Sequence, residues 1–336
     1  MSKKKSMAVV INTVFSSFYL SAALPEIVSF SIQDSGAQAT VTVMVDGEEV
    51  FENTMTAFGN SLKLYDIQSI IEEAIRNNNN AMGACKVVIE DEYHDTDEST
   101  LFNVLVSEGV ADNPATWLSA HFLTTRSSYR ISPSGKQNLH YYKVQTDLTT
   151  KFITATVLPS GATVPNVVVW NQGSGGANGL TTELIDMEAI QQHFGTSKVL
   201  AFDVERGSRK MTFYVIDEEP TLKMSFLNGF NLPEYIELRG VNVHRRKMEA
   251  GTAEVMRKKE RYDFNPEETY EVETATLSRE EAEWLSQIFT SRYVAVYEGG
   301  AYREVIIDGE GEISDSDNVV NRLKFKYEFA KNVKYL

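Results

Sequence analysis

Cysteine is nearly absent: Cys85 stands alone in 336 residues. A disulfide scaffold and an all-cysteine metal site are therefore excluded. No run of 18 apolar residues occurs, so no segment reads as a membrane-crossing helix. The five histidines, His94, His121, His140, His193 and His244, are scattered, and no His-Glu-x-x-His pair or Gly-x-Ser-x-Gly elbow is found. Basic residues are the minority charge, 32 Lys and Arg against 47 Asp and Glu, for a net charge of −15. That balance argues against nucleic acid or anionic lipid as a partner of the whole surface. What remains is an ordinary globular composition, 42% hydrophobic and 24% charged, long enough for two domains or three small ones.

The dominant hydrophobic period is two, the signature of half-buried strands. Residues 38–46 alternate and end at Asp46-Gly47, a hairpin turn signal, and the run from Glu49 to Thr56 completes the hairpin. Similar runs occupy residues 86–90, 100–106, 140–145, 152–158, 167–170, 199–205, 210–216, 235–243, 270–276, 293–297, 303–308 and 322–329. The last, Arg322-Leu323-Lys324-Phe325-Lys326-Tyr327-Glu328-Phe329, alternates charge with apolar bulk throughout. Helical spacing is rarer. Tyr65 to Asn77 places Ile67, Ile70, Ile71, Ala74 and Ile75 on one face behind Asp66 as the expected cap. Leu184 to Phe194 is a shorter candidate, and Ser278-Arg279-Glu280-Glu281 is a capping box. Residues 247–261 are open to a helix or a solvated hairpin. At the N-terminus, Lys3-Lys4-Lys5 before Ala8–Leu24 has the outline of a secretory signal, but Asn12, Thr13, Ser16, Ser17 and Ser21 interrupt its apolar centre. The segment is expected to be retained.

An internal repeat is suggested. Two strands, then Leu64-Tyr65-Asp66-Ile67-Gln68-Ser69-Ile70, then a strand from Lys86, are echoed by two strands, then Leu184-Ile185-Asp186-Met187-Glu188-Ala189-Ile190, then a strand from Lys198. With breaks at Gly109–Pro114 and Asp217–Pro220, the expected fold is mainly β: serial β-sandwich-like domains with a few short helices, at residues 1–112, 113–219 and 220–336.

Chemical motifs are weak. The loop Gln172-Gly173-Ser174-Gly175-Gly176-Ala177-Asn178-Gly179 lies between a strand and an expected helix, as a dinucleotide loop would, but Asn178 occupies the third glycine's place. The acidic stretches Glu90–Glu98 and Asp308–Asp317 carry carboxylates but not the order of a calcium loop. Cys85, just before an apolar strand, reads as a core residue. No cofactor, metal or catalytic residue is assigned, and the chain is expected not to be an enzyme. The clearest anomaly is electrostatic. Residues 239–261 hold Arg239, Arg245, Arg246, Lys247, Arg257, Lys258, Lys259 and Arg261 against three Glu, while residues 90–112 hold eight acids and no base. Opposite patches on one chain suit head-to-tail association, which makes those eight basic residues the candidate partner-binding set.

One resemblance joins these features. Phe226-Leu227-Asn228-Gly229-Phe230-Asn231-Leu232-Pro233-Glu234, the strand at 268–272, the helix with Trp284-Leu285-Ser286, the strand Tyr293-Val294-Ala295-Val296-Tyr297 and the closing Asn321–Ala330 run follow one another in this order. With the Val45-Asp46-Gly47-Glu48 hairpin and the Leu64-Tyr65-Asp66 helix start, this order resembles tail-associated structural proteins of bacteriophages and prophages of Bacteroides-type hosts. The resemblance implies a β-rich virion subunit, made in the host cytoplasm, that forms homo-oligomeric rings and docks with other tail proteins. It carries over no catalytic residue. The rival reading is a carbohydrate-binding β-sandwich protein at a cell surface, with Trp117, Trp170, Tyr141 and Tyr142 stacking on sugar rings.

Overall fold

Strands dominate, as the period of two predicts. The computed structural model describes residues 9–33, 36–108, 113–143, 150–174, 179–255, 258–313 and 321–330. The chain forms two units, Met1–Leu118 with Gly229–Asn231, and Ser119–Asn228 with Leu232–Leu336.

The first unit contains β1 (Val9–Ile11), β2 (Phe18–Leu20), β3 (Ile27–Ile32), β4 (Gln38–Val45), β5 (Glu48–Thr56), β6 (Ser61–Tyr65), α1 (Ile67–Asn77), β7 (Met82–Asp91), β8 (Thr96–Glu98) and β9 (Phe102–Leu105), followed by α2 (Pro114–Ala120). One sheet runs β1-β3-β6; the other runs β2-β9-β7-β4-β5, with β8 beside β7. Val41, Val43 and Val45 of β4, Val87 and Ile89 of β7 and Ile67, Ile71 and Ile75 of α1 are fully buried in one core. The β4–β5 turn is tight because Asp46 and Gly47 both take left-handed φ, 52° and 85°, as a two-residue hairpin requires.

The second unit adds β10 (Ser128–Ile131), β11 (Lys136–Lys143), β12 (Thr150–Leu158), β13 (Asn166–Ser174), β14 (Gly179–Asp186), α3 (Met187–Phe194), β15 (Lys198–Arg206) and β16 (Arg209–Val215). These repeat β2–β7, α1 and β9 of the first unit, whose β1 and β8 have no counterpart among the described residues. The sheet order β10-β16-β15-β12-β13 matches β2-β9-β7-β4-β5, and the pair β11-β14 matches β3-β6. The signs of pairing agree as well: β2–β9 and β10–β16 are parallel, while β4–β7 and β12–β15 are antiparallel. The repeat read from two short motifs thus extends over eight elements. The Leu184–Phe194 helix begins only at Met187, because Leu184 to Asp186 finish β14.

Residues 222–329 complete the second unit with β17 (Leu222–Leu227), β18 (Pro233–Leu238), β19 (Gly240–Val255), β20 (Lys258–Thr274), α4 (Arg279–Leu285), β21 (Val294–Glu298), β22 (Ala301–Ile313) and β23 (Leu323–Phe329). They form one seven-stranded sheet in the order β18-β17-β21-β22-β23-β20-β19. Its two edge strands, β18 and β19, are joined by Arg239 alone. Since consecutive Cα atoms lie about 3.8 Å apart, the sheet must curl until its edges meet there. The expected break at 217–220 separates no cores: Phe202 and Phe213 belong to the same hydrophobic cluster as Phe226, Trp284 and Phe325. Ser278 caps α4 as read, its Oγ accepting from the Glu281 amide at 3.2 Å while Glu281 accepts from the Ser278 amide at 2.9 Å.

Candidate assembly arm

The 247–261 segment is not helical; it lies in an antiparallel hairpin of β19 and β20, in register from Gly240↔Thr274 to Val255↔Lys258. Two sequence features select the hairpin. Thr269-Tyr270-Glu271-Val272-Glu273 alternates polar with apolar, and Arg245 and Arg246 on the outgoing strand each meet a Glu on the return strand. Gly240 sets the direction. Its φ is +134°, and a Cβ there would lie 2.2 Å from the Glu273 carbonyl oxygen. Only glycine can pass this close to the neighbouring backbone, so the residue that lets the chain leave β18 also places β19 against β20.

Beyond its first few residues the hairpin has no third strand among the described residues. β23 pairs with β20 only over Tyr270–Glu273. From there the two strands continue together for eleven pairs, from Arg245↔Thr269 to Val255↔Lys258, roughly 35 Å at the rise of a β-strand. The base is clamped by aromatic rings. His244, Tyr270 and Tyr327 stack across β19, β20 and β23, with centroids 4.5 and 4.7 Å apart and planes within 7° and 6°. Phe329 closes the stack edge-on at 5.4 Å, under the Arg303 guanidinium at 4.0 Å. Such pairs contribute about 0.5–1.5 kcal/mol each beyond area. On the opposite face charges alternate across the strands: Arg245 to Glu271 at 2.8 Å, Glu271 to Lys326 at 3.5 Å, and Glu273 to Lys324 and Arg322 at 3.3 and 3.2 Å. The Lys324 and Arg322 cations hold the Glu273 carboxyl below its ordinary range.

This geometry redistributes the basic surplus. Arg239 donates from Nε and Nη2 to the Glu218 carbonyl at 3.1 and 3.0 Å and lies 3.9 Å from Glu237. Arg245 is matched by Glu271, and Arg246 by Glu268 at 3.0 Å. The side chains of Lys247, Lys258, Lys259 and Arg261 and the whole of Arg257 lie outside the described residues; the backbones of Lys247, Lys258, Lys259 and Arg261 pair within the hairpin. Over the full hairpin, 239–274, eight basic residues face eight acidic ones. A count that stops at residue 261 cuts through the return strand and leaves its five acids out.

The acidic partner stretch is similarly occupied. Glu90 pairs with His94 and Lys86 with Glu98. Asp91 is buried and caps the turn, accepting from the amides of Tyr93 and Asp95 at 2.8 and 2.9 Å, and Asp97 accepts from the Ile11 amide at 2.7 Å. Among the described residues no three His, Cys, Asp or Glu side chains converge as metal ligands would. Of the second acidic stretch, only the Asp308 side chain is described.

Other sequence candidates find structural places. Gln172–Ser174 belong to β13 and Gly179 opens β14, so the glycine loop joins two strands and no helix follows it. Its residues 175–178 lie outside the described residues. Tyr141 is 1% exposed beneath the Arg206 and Arg209 guanidinium groups. Trp117 stacks on Phe230 at 5.4 Å, and Trp170 on His193 at 3.8 Å. Burial and Asp46 push the Cys85 thiol up to about 12. His140 is buried, with Nε2 donating to the Pro233 carbonyl and Nδ1 bonded to the Thr182 hydroxyl, each at 2.8 Å, and burial lowers its pKa. Glu237 and Glu281 line a cavity of about 80 Å³. Glu237 accepts from the Ser132 amide and hydroxyl at 2.6 and 2.7 Å, and Glu281 is shared by Arg126 and Arg130 at 3.3 Å each.

No protein-family model matches this chain, and no curated protein does. Among solved structures, the calcium-binding domain CBD12 of CALX1.1 is similar over 60% of this chain and 79% of its own, at 9% identity and a TM-score of 0.19. CBD12 from CALX1.2 is similar over 56% and 76%, at 11% identity and a TM-score of 0.17. At these scores the likeness bears on neither fold nor ligand. No described helix is long and apolar enough to cross a membrane.

Proposed function

We propose that this chain is a non-enzymatic assembly subunit, a tail or tail-associated protein of a virion, that joins copies of itself and neighbouring tail proteins. It is made in the host cytoplasm and delivered to the particle. The observation that carries the reading is the β19–β20 arm. A two-stranded ribbon is marginal in water on its own, and among the described residues both its edges offer unpaired main-chain groups over eleven residues per strand. Its base is nevertheless fixed to the sheet by stacked rings and a ladder of ion pairs. A rigid root with an open ribbon beyond it suits a reach onto a neighbour, where a third strand completes the pairing. The sequence resemblance supplies the virion context.

The test is the mass of the full chain in solution by light scattering, alone and with the arm shortened by replacing residues 248–266 with a two-residue Asn-Gly turn. The wild type is expected at a multiple of 37.7 kDa, and the shortened chain at a smaller multiple with unchanged circular dichroism. A wild type that stays at 37.7 kDa at all concentrations and binds no neighbouring virion protein overturns the proposal.

A further inference from the structure

The repeated topology exposes a difference between two equivalent edges. β5 and β13 hold the same place, each the last strand of its five-strand order and paired on one side only among the described residues. β5 carries Glu48, Glu49 and Glu52, all exposed. Charges on an edge are the usual protection against pairing with another chain. β13 has none. From Phe152 to Thr182 no residue is charged, in a chain where 24% are. The β13 edge instead presents Val167, Val168 and Val169 at 69%, 40% and 59% exposure, with Val164 in the preceding turn at 70%. Only Trp170 of this run is held inward, against His193 and Phe194. The β12–β13 register shifts between Asn171 and Ser174, so the regular edge is Asn166–Asn171, and this uncharged stretch with exposed valines satisfies the conditions for strand addition.

We propose that β13 pairs antiparallel with β13 of a second copy of this chain, joining two five-stranded sheets across a two-fold axis. The choice of occupant follows from charge. A two-fold contact sets the strand against its own sequence, residue i facing j and j facing i, so a strand rich in one charge repels itself whereas this uncharged one does not. The chief alternative within the same chain, β5 of a neighbour, would bring three carboxylates against the valines and strip their water with no cation of β12 or β13 within residues 152–174 to receive them. This inference rests on the assembly reading above and assigns it a second contact, separate from the arm.

The experiment compares Val167→Lys/Val169→Lys with Val167→Glu/Val169→Glu by light scattering. These side chains share one face of β13 and are mostly exposed, so the fold should tolerate both pairs of changes. Self-pairing predicts that each variant assembles roughly a hundredfold more weakly and shows half the wild-type mass, and that an equimolar mixture of the two recovers the full mass. The chain with a shortened arm should remain a dimer. A cross-linking readout needs no charge: Val169→Cys treated with a bis-maleimide should give a band at twice 37.7 kDa. The wild type should give none, since its one cysteine is buried. If only the Glu variant dissociates, an acidic strand such as β5 is the occupant and self-pairing is overturned. If both variants keep the full mass while the shortened arm loses it, self-pairing is overturned and the assembly reading stands. A wild type that is monomeric throughout overturns both.

Discussion

The module of β2 to β9 and the module of β10 to β16 have the same strand order and the same pairing signs, yet they spend that architecture differently. In the first, β4 and β5 meet through a two-residue turn with Asp46 and Gly47 in left-handed φ. In the second, the matching connection runs from Pro159 to Pro165. The first keeps its core to itself, built on Val41, Val43, Ile71 and Phe102; the second shares its core with the seven-stranded sheet. The first closes its outer edge with glutamates and the second leaves it apolar. Pairing topology is therefore the conserved feature of this molecule. Edge chemistry and core continuity are where the two copies were free to diverge, and interaction surfaces are built from that freedom.

The sharpest way to test the equivalence is to remove the same ring from both modules. Phe102 in β9 and Phe213 in β16 hold matching strands. Both are fully buried, Phe102 stacked on Phe15 at 4.5 Å and Phe213 on Phe202 at 4.7 Å. Phe102→Ala and Phe213→Ala should each cost about 3–5 kcal/mol in denaturant unfolding. Because Phe213 and Trp284 belong to one core, Phe213→Ala should also lower the midpoint reported by Trp284 fluorescence. An unchanged Trp284 midpoint would mean that the second module and the curled sheet melt as separate bodies. Next in size is Gly240→Ala, expected to cost roughly 1–3 kcal/mol from backbone strain and collision with Glu273. Full stability in that variant would break the account of how the arm leaves the sheet.

Much of this fold was legible in advance because period-two patterns survive wherever one face of a sheet is buried. The β4–β5 hairpin and the charge-alternating β23 were readable on that basis, and the Ser278 capping box from its Ser-x-x-Glu spacing. Short strands such as β2 and β8, three residues each, carry too few residues for a period. The arm was harder for a different reason. Its paired charges lie 26 residues apart for Arg245–Glu271 and 22 for Arg246–Glu268, opposite one another in space, so a running charge count sees a basic patch where the hairpin has paired ions. The open β13 edge was invisible until the pairing order showed which strands end a sheet; Val167-Val168-Val169 alone reads equally well as a buried central strand.

The smallest effect separates the modules most finely. Asp66 and Asp186 occupy the same place in the repeated motif, each just before its helix. Asp186 caps α3, accepting from the amides of Glu188 at 3.0 Å and Ala189 at 3.4 Å. Asp66 has φ 58° and makes no capping hydrogen bond. Asp186→Ala should therefore cost about 1 kcal/mol, the usual worth of an N-cap, and Asp66→Ala appreciably less. The pH dependence adds a second mark. The Lys136 ammonium, 3.0 Å from the Asp186 carboxylate, together with the helix amides holds its pKa below the ordinary 3.8. A carboxyl with a depressed native pKa stabilises the fold above its unfolded value and loses that contribution as pH falls through its folded value. The Asp186→Ala difference should accordingly be present in full at neutral pH and fade as pH falls below 3.8 toward the lower folded value. Equal losses at both positions would mean that the matching motif, and not the local backbone, decides which carboxylate caps.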